Sequence, residues 1–264
     1  MASDLREALV IGHPGHELRV DGWLTIARPL TFVVTDGSGA TGVGRIASTE
    51  AILRDAGASR GSVFGALSDR AAYAAILSRD SSVWCALADA LAREFVESDI
   101  ASVAGDAWEG YNPVHDVCRL VIDAAVALAS QRSGRAIVNW SFPLVGRPDL
   151  VPPGAETRVF VLDDAAFERK MAKASRYCEL TPDVAWSLDA YGRDAFRTEV
   201  LTRAETAGWD DTRFLHEKPF YETHGETRVG EGKYRELIRY RDHVAPIAAE
   251  LRSLAGARVR CESF

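Results

Sequence analysis

Cysteine is scarce in this 264-residue chain: Cys85, Cys118, Cys178 and Cys261 stand far apart with no C-x-x-C spacing. That excludes a zinc knuckle or disulfide framework written into the sequence and makes reduced thiols the expectation. No apolar run is long enough for a bilayer, and the opening Met-Ala-Ser-Asp-Leu-Arg-Glu lacks the basic start and apolar stretch of a secretion signal. A cytoplasmic protein without a membrane partner is expected. A surplus of cations is missing too: 31 Lys and Arg against 38 Asp and Glu give a formal net charge of -7, which argues against a nucleic-acid partner. Repeats and low-complexity tracts are absent, so solenoids and disordered arrays drop out. What is present is 47% hydrophobic and 26% charged residues, enough apolar material for a sizeable core.

The apolar runs at residues 7–11 and 30–35 read as buried strands, with a helical stretch between them, so the chain opens β-α-β and implies a parallel sheet. The alternation continues with helices near 45–56, 70–77 and 83–96 and strands near 62–64 and 101–105. A long apolar helix near 114–129 follows, then strands near 135–140 and 157–162. The fold class expected is α/β: a three-layer, Rossmann-like, mainly parallel sheet over residues 1–162, with a helical C-terminal extension over 163–264 packing on the same domain. Within that extension, helices are expected at 165–177, from 182 toward 204, and over 233–254 with a bend before Pro246. Residues 208–232, polar and punctuated by Pro219, Gly225, Gly230 and Gly232, read as a long loop of the kind that carries function.

Ligands of open α/β sheets bind at the carboxyl ends of the strands. The first such loop reads Gly12-His13-Pro14-Gly15-His16-Glu17, and two imidazoles three residues apart can face one cleft. Two ligands do not make a metal site. His115, in the segment Asp106-Ala-Trp-Glu-Gly-Tyr-Asn-Pro-Val-His-Asp, again follows a strand and opens a helix, and strand-end loops of one parallel sheet emerge on one side. His13, His16 and His115 can therefore form a three-histidine metal site, with Glu17, Asp36, Asp106, Glu109 and Asp116 as carboxylates behind them or as a base; on spacing alone the alternative is that His16 caps one helix and His115 starts another, both solvated. Zinc is the expected metal, although three-histidine sites with open positions also serve other divalent ions such as iron.

These residues carry a family resemblance. Strand, His-Pro-Gly-His-Glu, helix, strand, Thr35-Asp36-Gly37 and then Arg45 resembles the PIG-L/LmbE family of zinc-dependent N-deacetylases acting on amino-sugar conjugates, over roughly the first 145 residues. That family carries His-Pro-Asp-Asp-Glu in this loop and His-Pro-Asp-His before a long helix. The resemblance implies that His13 is the first metal ligand and His115 the last, with His16 standing where the family has a metal-binding aspartate. It also implies that Gly15 replaces the family's general base, and that Asn112 and Val114 replace the His and Asp of its second motif. Arg45 matches an arginine that the family uses near its substrate.

The resemblance implies a metal-dependent amide hydrolase acting on a small polar, sugar-containing conjugate, with Glu17 or Asp116 left as the proton acceptor. Substrate contacts are expected from Asp36, Arg45, Asn112, Tyr221, Glu222 and Arg228, and a homo-oligomer is compatible with the sequence. His243 is expected to be packed or solvated, not a ligand. Two other readings stay open. One is a catalytically altered relative that binds a sugar or nucleotide-sugar without cleaving it. The other is a nucleotide-dependent enzyme using Gly37-Ser-Gly-Ala-Thr-Gly42, which matches G-x-G-x-x-G but follows the second strand.

Overall fold

The computed structural model describes residues 6–39, 41–204 and 213–256. Strands β1 (Arg6–Ile11), β2 (Leu30–Thr35), β3 (Ser59–Leu67), β4 (Ile100–Asp106), β5 (Val138–Phe142), β6 (Thr157–Val161) and β7 (Thr198–Arg203) form a single sheet in the order β3-β2-β1-β4-β5-β7-β6. The first five pair in parallel, and β7 runs antiparallel to both β5 and β6. The continuous apolar runs of β1 and β2 follow from burial on both faces, the signature of central parallel strands. Ala8, Leu9, Val10 and Ile11 are all fully buried.

Helices cover each face, completing a three-layer, Rossmann-like α/β fold. Leu9, Ile11 and Val33 pack with Trp23 and Leu24 of α1 (Asp21–Ala27) and Ile52 and Leu53 of α2 (Ile46–Ala56). The alternate residues Ala8, Val10 and Phe32 pack with α3 (Asp69–Leu77), α4 (Ser81–Glu97) and α5 (Pro113–Ser133). The C-terminal portion supplies α6 (Asp164–Arg176), α7 (Thr181–Tyr191), α8 (Arg213–His216), α9 (Phe220–Gly230) and α10 (Ala245–Leu254). Val244, Ile247 and Leu251 bury α10 and the turn before it against α4 and α5. No helix among the described residues is long and apolar enough to cross a membrane.

Three expectations for the C-terminal portion need correction. The helix expected from 182 toward 204 stops at Tyr191, where Gly192 adopts φ 77°, and Thr198–Arg203 instead joins the sheet between β5 and β6. Part of the segment expected as loop is helical: α8 and α9 lie within it, and residues 205–212, including Trp209, fall outside the described residues. Residues 233–239 are not helical, so the last helix begins only with a π-helical turn at Tyr240–Val244.

Buried charge fastens these pieces together. Glu199 on β7 accepts hydrogen bonds from the Gly22 and Trp23 N–H groups at the start of α1, at 2.8 and 2.9 Å, and pairs with Lys170 of α6 at 2.8 Å. Lys173 pairs with Asp21 at 2.6 Å. A carboxylate at a helix N-terminus satisfies otherwise orphaned donors.

The sheet order also sets where a ligand can bind. From β1 the chain winds to β2 and β3 on one side and then crosses to β4 on the other. The carboxyl ends of β1 and β4 therefore open into the crevice of a topological switch point. Gly12 N–H donates across this crevice to Asp106 Oδ2 at 2.7 Å.

Candidate metal centre

His13 and His16 leave the end of β1, and His115 stands in the first turn of α5, started by Asn112 as N-cap and Pro113 behind it. The three rings meet. Their centroids are 4.6 Å (His16 to His115), 4.9 Å (His13 to His115) and 5.4 Å (His13 to His16) apart, each pair edge to face. Three imidazoles sharing one zinc at about 2.1 Å per Zn–N bond would place their ring centres roughly 4.6–5.3 Å apart. The observed triangle is of that size.

Each ring also leaves a nitrogen uncommitted. His13 Nδ1 lies 2.7 Å from Thr35 Oγ1 and 3.1 Å from Asp69 Oδ1, and His16 Nδ1 lies 2.9 Å from Asp106 Oδ2. A carboxylate accepts, so His13 Nδ1 carries the proton beside Asp69, and His16 Nδ1 does so whenever Asp106 is ionised; Nε2 of each ring then keeps a lone pair, the arrangement that carboxylates impose on metal-binding histidines. His13 Nε2 and His115 Nδ1 are buried without a hydrogen-bond partner. Burial, followed by the neighbouring imidazoles, holds His16 and His115 well below the usual histidine range, so both are neutral at pH 7, as ligation requires. In these rotamers, no group of three or more His, Cys, Asp or Glu among the described residues is closed into a cage that could hold an ion. The donor type, the number of rings and the buried unpartnered nitrogens nevertheless fit a borderline cation such as zinc.

Asp69 was not singled out in the sequence. It sits at the start of α3, its Oδ2 accepts the Gly39 N–H at 2.6 Å, and it lines the cavity. Burial works to raise its proton affinity, but the His13 ring beside it holds the carboxylate well below its usual range. Asp106 is the opposite case, because complete burial pushes it up to about 7.

The three imidazoles line a cavity of about 1170 Å³. Arg45 and Arg19 line it as well, and both charges disfavour protonation of His16. Arg45 Nε and Arg19 Nη1 are buried without partners. Arg45 is seated by a glycine: a Cβ on Gly37, where φ is +67°, would stand 2.7 Å from Arg45 Nε and 2.9 Å from Pro14 Cδ. Arg19, three residues beyond His16, donates through Nη2 to the Leu144 carbonyl.

The remaining expected site residues separate into two groups. Asn112 lines the cavity, its Oδ1 accepting from Val114 N–H at 2.8 Å and from the Tyr73 hydroxyl at 3.3 Å. Tyr221 lines it too, with its hydroxyl buried and unpartnered. Glu17 is fully buried behind the loop, accepting from Gly15 N–H at 2.7 Å and Thr49 Oγ1 at 2.8 Å, and burial pushes it up to about 7. Asp116 is likewise buried, accepts the Glu109 and Gly110 N–H groups at 3.1 and 3.0 Å, and is pushed up to about 7 by burial. Neither Glu17 nor Asp116 is on the cavity wall; they fold the two histidine loops. Asp36 accepts from Ser38 and Asp69 N–H groups, Glu222 from Arg239 and Tyr240 N–H, and Arg228 pairs with Glu231, all off that wall.

In the glycine-rich loop, four of the described backbone donors are already taken. The N–H groups of Gly37, Ser38, Gly39 and Gly42 are spent on Thr35, Asp36, Asp69 and the Ser38 carbonyl, which leaves those donors nothing to offer a pyrophosphate. His243 Nδ1 accepts the Arg239 N–H at 2.8 Å, and Cys85, Cys118 and Cys178 are free thiols.

No family model and no curated protein matches the chain. Among solved structures it is similar to the zinc-inhibited form of the teicoplanin deacetylase Orf2, at 12% identity over 75% of this chain and 99% of that one, with a TM-score of 0.47. It is also similar to a triple mutant of that deacetylase, at 16% identity over 76% and 99% with a TM-score of 0.49. A deacetylase-bog complex from the teicoplanin pathway gives 15% identity over 75% and 99% with a TM-score of 0.49. At these identities none of the likenesses assigns an activity to the present chain.

Proposed function

We propose that this protein is a metal-dependent amide hydrolase of the N-deacetylase type, acting on a small polar, sugar-containing conjugate. The observation that carries the reading is the triangle of His13, His16 and His115 at the wall of a large cavity, with two Nδ1 atoms fixed by Asp69 and Asp106. The sequence resemblance to the PIG-L/LmbE enzymes, carried in part by the same histidines, agrees with it.

A divalent cation bound by these three histidines would polarise an amide carbonyl and acidify water. The chain's own groups do the rest. Asp69 and Asp106 hold the Nδ1 protons of His13 and His16 and so keep Nε2 basic. Arg45 and Arg19 line the same wall, where their positive charges would stabilise negative charge developing on a carbonyl oxygen. Asp69 both touches His13 and lines the cavity, but its low proton affinity makes it a weak base. Because a general base contributes about 10²–10⁴-fold, slow turnover is the expected result.

One observation favours a second reading, a relative that binds its sugar without cleaving it. Where the family resemblance puts a base stands Gly15, with φ +105° and with Leu180 Cδ1 2.2 Å from where a Cβ would lie, so the chain has no carboxylate there and could gain one only by accepting a left-handed backbone and moving the tip of Leu180. Acetate release from N-acetylglucosamine conjugates by zinc-loaded protein decides between the two. Zinc-dependent release that disappears in His115→Ala supports the hydrolase, and stoichiometric zinc with no release supports the binder.

A further inference from the structure

Every exposed aromatic side chain among the described residues lines the same cavity. Tyr73 is 36% exposed, Tyr111 45%, Trp186 59%, Phe220 49% and Tyr234 49%, and all five border the space that the imidazoles face. They come from α3, the loop before α5, α7, α9 and the segment before the last helix. Exposed aromatics scattered singly need no explanation, but a cluster around one concavity marks a binding surface.

The faces are also arranged for stacking. Tyr111 and Phe220 are parallel, with centroids 4.7 Å apart and planes 4° apart, and His224 extends the stack at 5.4 Å and 21°. Opposite in character is α7, which has no buried residue at all and yet turns Val184, Trp186 and Leu188 to the cavity. Leu188 and Tyr191 anchor the helix on the Phe167 and Met171 cluster, which leaves Trp186, 59% exposed, to gain its remaining packing from whatever fills that space. The volume, about 1170 Å³, lies above the roughly 300–1,000 Å³ usual for small-molecule sites. A monosaccharide amide alone would leave most of the rim untouched.

We propose that the substrate carries an aromatic group that stacks on this rim, with its sugar-amide end at the imidazole cluster. Aromatic faces and edges that remain exposed around the rim favour a planar group over an alkyl chain, because rings attract rings in offset and edge geometries beyond their area burial. The inference deepens the hydrolase reading by naming the non-sugar part of its substrate.

Isothermal titration of chelator-treated protein tests it without requiring metal. The probes are N-acetylglucosamine, its 4-nitrophenyl β-glycoside and its octyl β-glycoside. The aryl glycoside should bind at least about tenfold more tightly than the parent sugar and more tightly than the octyl glycoside, in line with a stacking contribution of this kind. Trp186→Ala and Phe220→Ala should each reduce the aryl preference by about threefold or more, Trp186→Phe should restore most of it, and Leu254→Ala on the far helix should leave it intact. Equal binding of sugar and aryl glycoside, an octyl preference, or an aryl preference unmoved by the rim variants would each overturn the inference. Zinc binding with acetate release but no aryl preference would leave the hydrolase reading standing. An aryl preference without zinc would do the reverse.

Discussion

Leu180 occupies the space that a side chain on Gly15 would need: its Cδ1 is 2.2 Å from the ideal Cβ position, and the Gly15 backbone is left-handed at φ +105°. The residue that departs from the motif of the family the sequence resembles thus faces the turn between α6 and α7, where Leu180 packs against the apolar cluster containing Tyr177.

Restoring the motif's carboxylate at this position should therefore damage the fold. Gly15→Asp is expected to cost about 1–3 kcal/mol from backbone strain and crowding combined, with partial recovery in the Gly15→Asp/Leu180→Ala double variant. Chemical denaturation measures both. A Gly15→Asp protein as stable as the parent would show that Leu180 does not hold the position.

Gly37 should be equally intolerant for a different reason. Alanine there must accept φ +67° and displace the Arg45 guanidinium, so Gly37→Ala is predicted to lose about 1 kcal/mol of stability. Its ligand affinity should fall as much as that of Arg45→Met. Intact affinity in Gly37→Ala alongside a loss in Arg45→Met would contradict the proposed seat.

Asp106 holds His16 from behind. Asp106→Asn keeps an acceptor for the Gly12 N–H but weakens the hold on the imidazole, and zinc affinity should fall about 10–100-fold, as it does when carboxylates behind metal ligands are altered. Competitive titration against a chromophoric chelator reads this directly, and unchanged affinity would count against the tautomer assigned to His16.

Glu109 provides a pH signature away from the metal ligands. Burial pushes its carboxyl up to about 7 from 4.5 while it accepts from the Leu144 and Val145 N–H groups. The folded state binds this proton more tightly than the unfolded state. Its contribution to stability is therefore fully present below pH 4.5 and is lost as pH rises through 7. Glu109→Gln should lose less stability between pH 5 and pH 8 than the parent does. Parallel curves would show that Glu109 titrates normally.

The histidine triangle was legible in the sequence because its logic is topological. Loops after neighbouring parallel strands leave the sheet on one edge, so His13 and His16 after β1 and His115 after β4 had to share a crevice. The carboxylates were less legible. Glu17 and Asp116 sit next to His16 and His115 in the chain, but their side chains turn under the loops to bind backbone N–H groups, and sequence adjacency does not give direction. Asp69 lies 56 residues from His13; its one available signal was its place at the end of β3, the next parallel strand but one.

The C-terminal portion hid its structure for related reasons. Thr198–Arg203 reads equally well as helix, and pairing with β5 and β6 makes it a strand. In α9, Gly225 and the β-branched residues lower helix propensity. There Tyr221 is buried, and a Cβ on Gly225 would stand 3.0 Å from Leu237 Cβ, so tertiary packing decides.

The account rests on three imidazoles sharing one cation, and zinc stoichiometry of protein purified without chelating resin and then supplied with zinc tests it most directly. The expected result is one equivalent per chain in the parent and in His243→Ala, and none in His16→Ala or His115→Ala. A parent that takes up no zinc, or equal zinc in all four proteins, would contradict it.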